Sequence, residues 1–105
     1  MIVATQIPIA EDRLKALCRR WRVRELSLFG SVLRDEFGPA SDVDVLVSFE
    51  DDAPWSLWDL LTLRDELCVL FGREVDLVER EGLRNPFRRQ RILKTRQVIY
   101  GDGEG

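Results

Sequence analysis

Residues 26–49 read LSLFGSVLRDEFGPASDVDVLVSF, and the fold follows from how this stretch is divided. Val23 to Phe29, an apolar run, predicts a strand. Gly30-Ser31 predicts a tight turn into a short helix that Gly38-Pro39 stops. From Asp42 to Phe49 the pattern alternates in part, with Asp42 and Asp44 on one face and Val43, Val45, Val47 and Phe49 on the other, as a half-buried strand requires. The unit is strand, turn, short helix, strand.

Ahead of this unit, Glu11 and Asp12 open a segment in which Leu14, Leu17, Cys18 and Trp21 recur at helical spacing, while Arg19 and Arg20 complement the dipole of the last turn. Behind it, Glu50, Asp51 and Asp52 predict an exposed turn. Ser56 and Asp59 then form a capping-box pattern and Gly72 a stop, so Leu57 to Phe71 is expected to be a helix, largely buried through its broad leucine-rich face. Val75 to Glu79 predicts a short strand with Asp76 and Val78 on one face. Asn85-Pro86 caps a basic helix, because asparagine accepts from free amides and proline suits the first helical position. Val98 to Tyr100 is expected to add a last strand, and the Gly-rich end, 101–105, to be disordered. Strands alternating with helices predict an α/β (α+β) sandwich: one domain over 1–105, with a small mixed sheet of three to four strands flanked by helices.

The composition bounds the function. The chain has 105 residues, 45% hydrophobic and 33% charged, with a formal net charge of -3. That is the balance of one globular domain, and it argues against general DNA binding, which needs an excess of Lys and Arg to neutralise phosphates. A domain this small should be modestly stable, so association with a partner chain would help it, and a homodimer is compatible with its size. No apolar run is long enough for a membrane span, and the first ten residues lack the pattern of a secretion signal, so a cytoplasmic location is expected. Cys18 and Cys68 fall at apolar helical positions without metal or redox spacing and read as core thiols. There is no histidine, which removes every Ser-His and Cys-His mechanism and leaves proton transfer to carboxylates.

Two aspartates two apart on a strand share a face, with Cα atoms about 6.5–7 Å apart. Carboxylates brought to about 5 Å repel by about 3 kcal/mol at an effective dielectric of about 20, so a cation is needed to justify the pairing, and hard, oxygen-seeking magnesium suits it. Taken alone, an Asp-x-Asp is more often the solvent face of an edge strand. Here it has company. A Gly-Ser turn precedes it, able to bring backbone amides close to a phosphate, and Asp76 follows on a later strand.

Gly30 and Ser31, then ten residues, then Asp42-x-Asp44, with Arg34 three after the serine and Ser41 before the first aspartate, form a signature over most of the chain. On these residues the chain resembles the minimal nucleotidyltransferases, the MNT proteins of the polymerase-beta-like superfamily. It departs from many members at Leu33 and Asp35, on either side of Arg34. The resemblance implies the polymerase-beta-like nucleotidyltransferase fold and catalytic carboxylates at Asp42, Asp44 and Asp76, which would also hold Mg2+, with Mn2+ as an alternative. It implies ATP as substrate, its β and γ phosphates gripped at Gly30 and Ser31. It further implies transfer of AMP to a tyrosine of a helical HEPN-type toxin, with the chain acting as antitoxin. Two rivals stand beside this reading: an antitoxin that works by contact with little catalysis, and a nucleotidyltransferase acting on a small molecule. Arg34 is expected to support structure more than to touch phosphate. Arg88, Arg89 and Arg91 read as one basic face, solvated or turned toward a partner or the acceptor, and Trp55 and Trp58 as core or partner contacts.

Overall fold

The apolar spacing of the first helix is realised in α1, Glu11–Arg20, which buries Leu14, Leu17 and Cys18. A computed structural model describes residues 7, 9–33, 38 and 41–101, and the rest of the fold follows from it. Strand β1 is Val23–Phe29, and a 3-10 turn, Gly30–Leu33, takes the place of the expected short helix within the described residues. Strand β2 is Val43–Phe49, α2 is Leu57–Phe71, β3 is Val75–Glu79, α3 is Pro86–Thr95 and β4 is Gln97–Tyr100. Arg34, Pro39 and residues 102–105 lie outside the described residues, so the expectations for the end of the short helix and for the C-terminal tail are not addressed there.

The four strands form one mixed sheet in the order β3-β2-β1-β4. Strand β1 runs antiparallel to β2 and to β4, whereas β2 and β3 are parallel. Parallel neighbours cannot be joined by a tight turn, and α2 supplies the crossover. Its ends are defined locally. Ser56 and Asp59 form the capping box, and Gly72 closes the helix at φ +68, a left-handed conformation that glycine adopts at no steric cost.

The main core lies between the sheet and helices α1 and α2, and includes Leu14, Leu17, Leu26, Leu28, Val43, Val45, Val47, Leu63 and Leu67. A second, smaller cluster of Phe29, Leu46, Leu83 and Ile92 joins the opposite face of the sheet to α3. This second cluster corrects one expectation. Strand β2 is not half-buried, because past Asp44 every residue from Val45 to Phe49 is buried; as an inner strand with helices over both faces it leaves solvent access only at its start. A second correction concerns α2. It buries only Leu63, Leu67 and Phe71, one stripe at helical spacing. Leu57 (69%), Trp58 (77%) and Val69 (73%) stand exposed, so the leucine-rich segment is apolar beyond what the core uses.

Trp55 packs against Trp21 with ring centroids 4.8 Å apart, and its Nε1 donates to the Trp21 carbonyl at 2.7 Å. Burial pushes the Cys18 thiol up to about 12, as an inert core thiol requires. Cys68 is free and partly buried against the same core. No helix among the described residues is long and apolar enough to cross a membrane.

Candidate active site

The sheet register aligns the chemistry. Asp44 on β2 is the direct partner of Asp76 on β3, and on its other side Asp44 faces Phe29 on β1. Register partners on neighbouring strands point to the same face with Cα atoms about 4.8 Å apart. Asp76, Asp44 and the end of β1 therefore lie in one row across three strands, on the face that α3 covers. The exposed Asp76 sits at the open edge of that row, and the half-buried Asp44 sits in its middle.

Gly30 follows Phe29 at φ +76, in a conformation an L side chain rarely adopts. The Asp44 carboxylate occupies the place that a Cβ at position 30 would take, with its Cγ 3.1 Å from that point. Only glycine meets both demands. Thus the Gly-Ser turn and the Asp-x-Asp strand, which the sequence separates by ten residues, are in contact in the fold.

Asp42 lies one residue before β2 and is exposed, not on the strand as expected. Local hydrogen bonds hold the segment leading to it. Ser41 N–H donates to the Gly38 carbonyl at 3.0 Å, Gly38 N–H donates back to Ser41 Oγ at 3.1 Å, and Val43 N–H donates to the Glu74 carbonyl at 2.9 Å. Arg73, which sequence reasoning passed over, adds a 3.4 Å bond from Nη1 to the Ser41 carbonyl. Nothing in the local pattern marks Arg73, because its partner is 32 residues away. The serine before the first aspartate thus has a visible task, which is to tie the loop that delivers Asp42.

Asp42 and Asp76 border a cavity of about 300 Å³ between β3 and the start of α2, with Leu57, Leu61, Arg64 and Glu79 around it. Glu79 is held above the ordinary carboxylate range, first by burial and second by the negative charge of Glu81. A second cavity, of about 450 Å³, opens on the α3 side of Gly30 and is bordered by Arg88 and Arg91. Arg89 belongs to a different groove, with Gln90 and Lys94. What reads in the sequence as one basic face is therefore two. The three-residue spacing of Arg88 and Arg91 was the signal that could have separated them.

The donor set suits a hard divalent cation, since it is all oxygen and the chain has no histidine. Among the described residues no three acidic or cysteine side chains gather into a ready cage. Asp44 and Asp76 offer a two-carboxylate edge instead, and magnesium is commonly held by one or two carboxylates with substrate phosphates completing its shell. The residues present fit such an ion.

Comparison with known proteins gives the family and the fold. The nucleotidyltransferase domain family matches residues 11–99. The protein adenylyltransferase MntA of Thermococcus cleftensis is 41% identical over 88 residues, covering 82% of each chain. Among solved structures, a toxin-antitoxin crystal structure with AMP-PNP superposes with a TM-score of 0.71 at 21% identity, over 90% of this chain and 75% of that one. A complex of the tri-AMPylated Shewanella oneidensis HEPN toxin with its MNT antitoxin gives a TM-score of 0.63 at 21% identity, over 88% and 70% of the respective chains. These two likenesses establish the fold.

Proposed function

Starting from a chain that belongs to the nucleotidyltransferase domain family, we propose that it moves AMP from ATP onto a tyrosine hydroxyl of a helical HEPN-type toxin in the cytoplasm and so acts as its antitoxin. The observation that carries this reading is the row of Asp76, Asp44 and Gly30: two carboxylates in register, the inner one against a phosphate-type turn. The activity named for the Thermococcus cleftensis relative and the AMPylated toxin in the Shewanella oneidensis complex support the choice of donor and acceptor.

Nucleotidyl transfer is an in-line displacement at the α-phosphorus, in which the acceptor oxygen bonds to phosphorus as pyrophosphate leaves. The protein's task is to position the groups and to neutralise charge. Backbone amides at Gly30 and Ser31 hold the β and γ phosphates, which the missing side chain at position 30 lets approach. Asp44 and Asp76 would hold Mg2+, or Mn2+, whose charge would stabilise the attacking and leaving oxygens when it is bound. Asp42, which borders the same cavity as Asp76, would join them once substrate phosphates complete the site. Asp76, exposed at the edge of the row, would accept the proton of the incoming hydroxyl.

A second reading, in which the chain silences its partner by contact with little catalysis, draws on the exposed Trp58 and on Leu57, which is exposed and borders the carboxylate-lined cavity. Incubation with labelled ATP and magnesium, with and without the toxin, decides. Label transferred to a toxin tyrosine supports catalysis. Toxin inhibition without label supports contact, and label on a small molecule with none on protein overturns both.

A further inference from the structure

The cavity on the α3 side of Gly30 holds more than a glycine turn. Phe29, Leu33 and Ile92 give it an apolar lining, and the exposed Arg88 and Arg91 border it from α3. That helix is firmly placed. Ile92 and Phe29 belong to the small cluster that fastens α3 to the sheet, and Asn85 Oδ1 accepts from the Phe87 and Arg88 amides at 3.0 and 3.1 Å, which fixes the first turn of α3. Arg88, Arg91 and Ile92 share one helix face, so burying Ile92 brings both arginines to the border of the cavity that Gly30 also lines. Among the described residues neither arginine forms an ion pair.

We propose that this cavity is a binding site for the polyphosphate tail of the nucleotide, with Arg88 and Arg91 pairing with the terminal phosphates and holding pyrophosphate as it leaves. The inference rests on the nucleotidyltransferase reading and deepens it. A triphosphate carries several negative charges and must sit beside Asp44, itself a carboxylate, so its distal end needs cations that the strands do not offer. Guanidinium groups pair with phosphate oxygens in a fork geometry, and an apolar lining lowers the local dielectric and strengthens that attraction. The other basic residues of α3 serve as an internal contrast. Arg89 and Lys94 border a separate groove with no glycine turn.

The test is a binding titration on the full chain with magnesium present, using ATP, AMP and inorganic triphosphate as separate probes. The variants are Arg88→Ala/Arg91→Ala, Arg88→Lys/Arg91→Lys and Arg89→Ala. All three residues are exposed, and circular dichroism confirms that each variant folds. The expected result is that the double alanine variant binds ATP and inorganic triphosphate at least about tenfold more weakly, while AMP binding is unchanged, on the scale of charge-assisted hydrogen bonds. The double lysine variant recovers part of the loss, and Arg89→Ala matches the parent.

Unchanged ATP and triphosphate affinity in the double alanine variant overturns the proposal. So does an equal loss in Arg89→Ala, which would mean diffuse charge, or a double alanine defect confined to toxin binding, which would make the arginines a protein contact. The parent chain keeps the two levels of inference apart. If it binds inorganic triphosphate through Arg88 and Arg91 but transfers AMP to no acceptor, the functional reading fails and the anion site stands.

Discussion

The carboxylate of Asp44 rests where the Cβ of any other residue at position 30 would have to go. Gly30 is thus the seat of a candidate catalytic aspartate as well as a turn residue at positive φ. Gly30→Ala is expected to cost about 1–2 kcal/mol from its positive φ alone, with a further loss as Asp44 is displaced. For a domain of this size each kcal/mol lowers Tm by about 4–8 °C. The contact predicts that transfer falls even in conditions where the variant is fully folded. A folded Gly30→Ala protein with parental transfer rate would show that the position of Asp44 is not critical.

Asp76 is placed in the row by strand register, and removing its charge separates its tasks. Asp76→Asn is expected to lower AMP transfer by about a hundredfold or more, on the usual scale for general-base catalysis. ATP affinity should fall less, because Gly30 and Asp44 remain. Single-turnover transfer measured beside an ATP titration checks both numbers. Near-normal transfer would reduce Asp76 to an exposed strand residue.

Away from the site, Arg96 at the end of α3 pairs with Glu25 on β1 at 3.1 Å, and both side chains are less than a tenth exposed. Arg96 also donates to the Leu93 carbonyl at 2.7 Å. Arg96→Leu leaves a carboxylate buried without its cation, which typically costs about 3–5 kcal/mol. The double variant Glu25→Leu/Arg96→Leu should recover most of that loss, since replacing a whole buried pair by apolar groups is often neutral. Chemical denaturation of the two variants and the parent measures the difference. If Arg96→Leu is as stable as the parent, the pair has no bearing on how α3 is anchored.

The raised pKa of Glu79 gives a pH dependence of definite sign. An unfolded glutamate ionises at about 4.3, while burial and the charge of Glu81 hold Glu79 in the folded chain above that value. Between the two values the folded state keeps a proton that the unfolded state has released. Stability therefore falls as pH rises through this window, and the penalty persists above it. Glu79→Gln removes the penalty, so it should be more stable than the parent at neutral pH and nearly equal to it below about pH 4. Denaturant midpoints at the two pH values test this; a larger difference on the acid side would reverse the assignment.

Local chemistry in the sequence was enough to define most of the elements. Ser56 and Asp59 cap α2 and Gly72 ends it, Asn85 and Pro86 start α3, and the apolar runs bound β1 and β3, because capping and periodicity involve residues a few positions apart. The same locality made the Gly30-Ser31 and Asp42-x-Asp44 signature legible, and with it the family. Tertiary structure decided the rest. Burial of β2 on both faces depends on α3 lying over the sheet. The pairing of Asp44 with Asp76 depends on a parallel register formed across α2, and the division of Arg88 and Arg91 from Arg89 depends on Ile92 being buried. Each of these is a contact between segments distant in the chain. Hydrophobic periodicity shows that a face is buried, but only packing shows which partner covers it and which polar groups are thereby brought together.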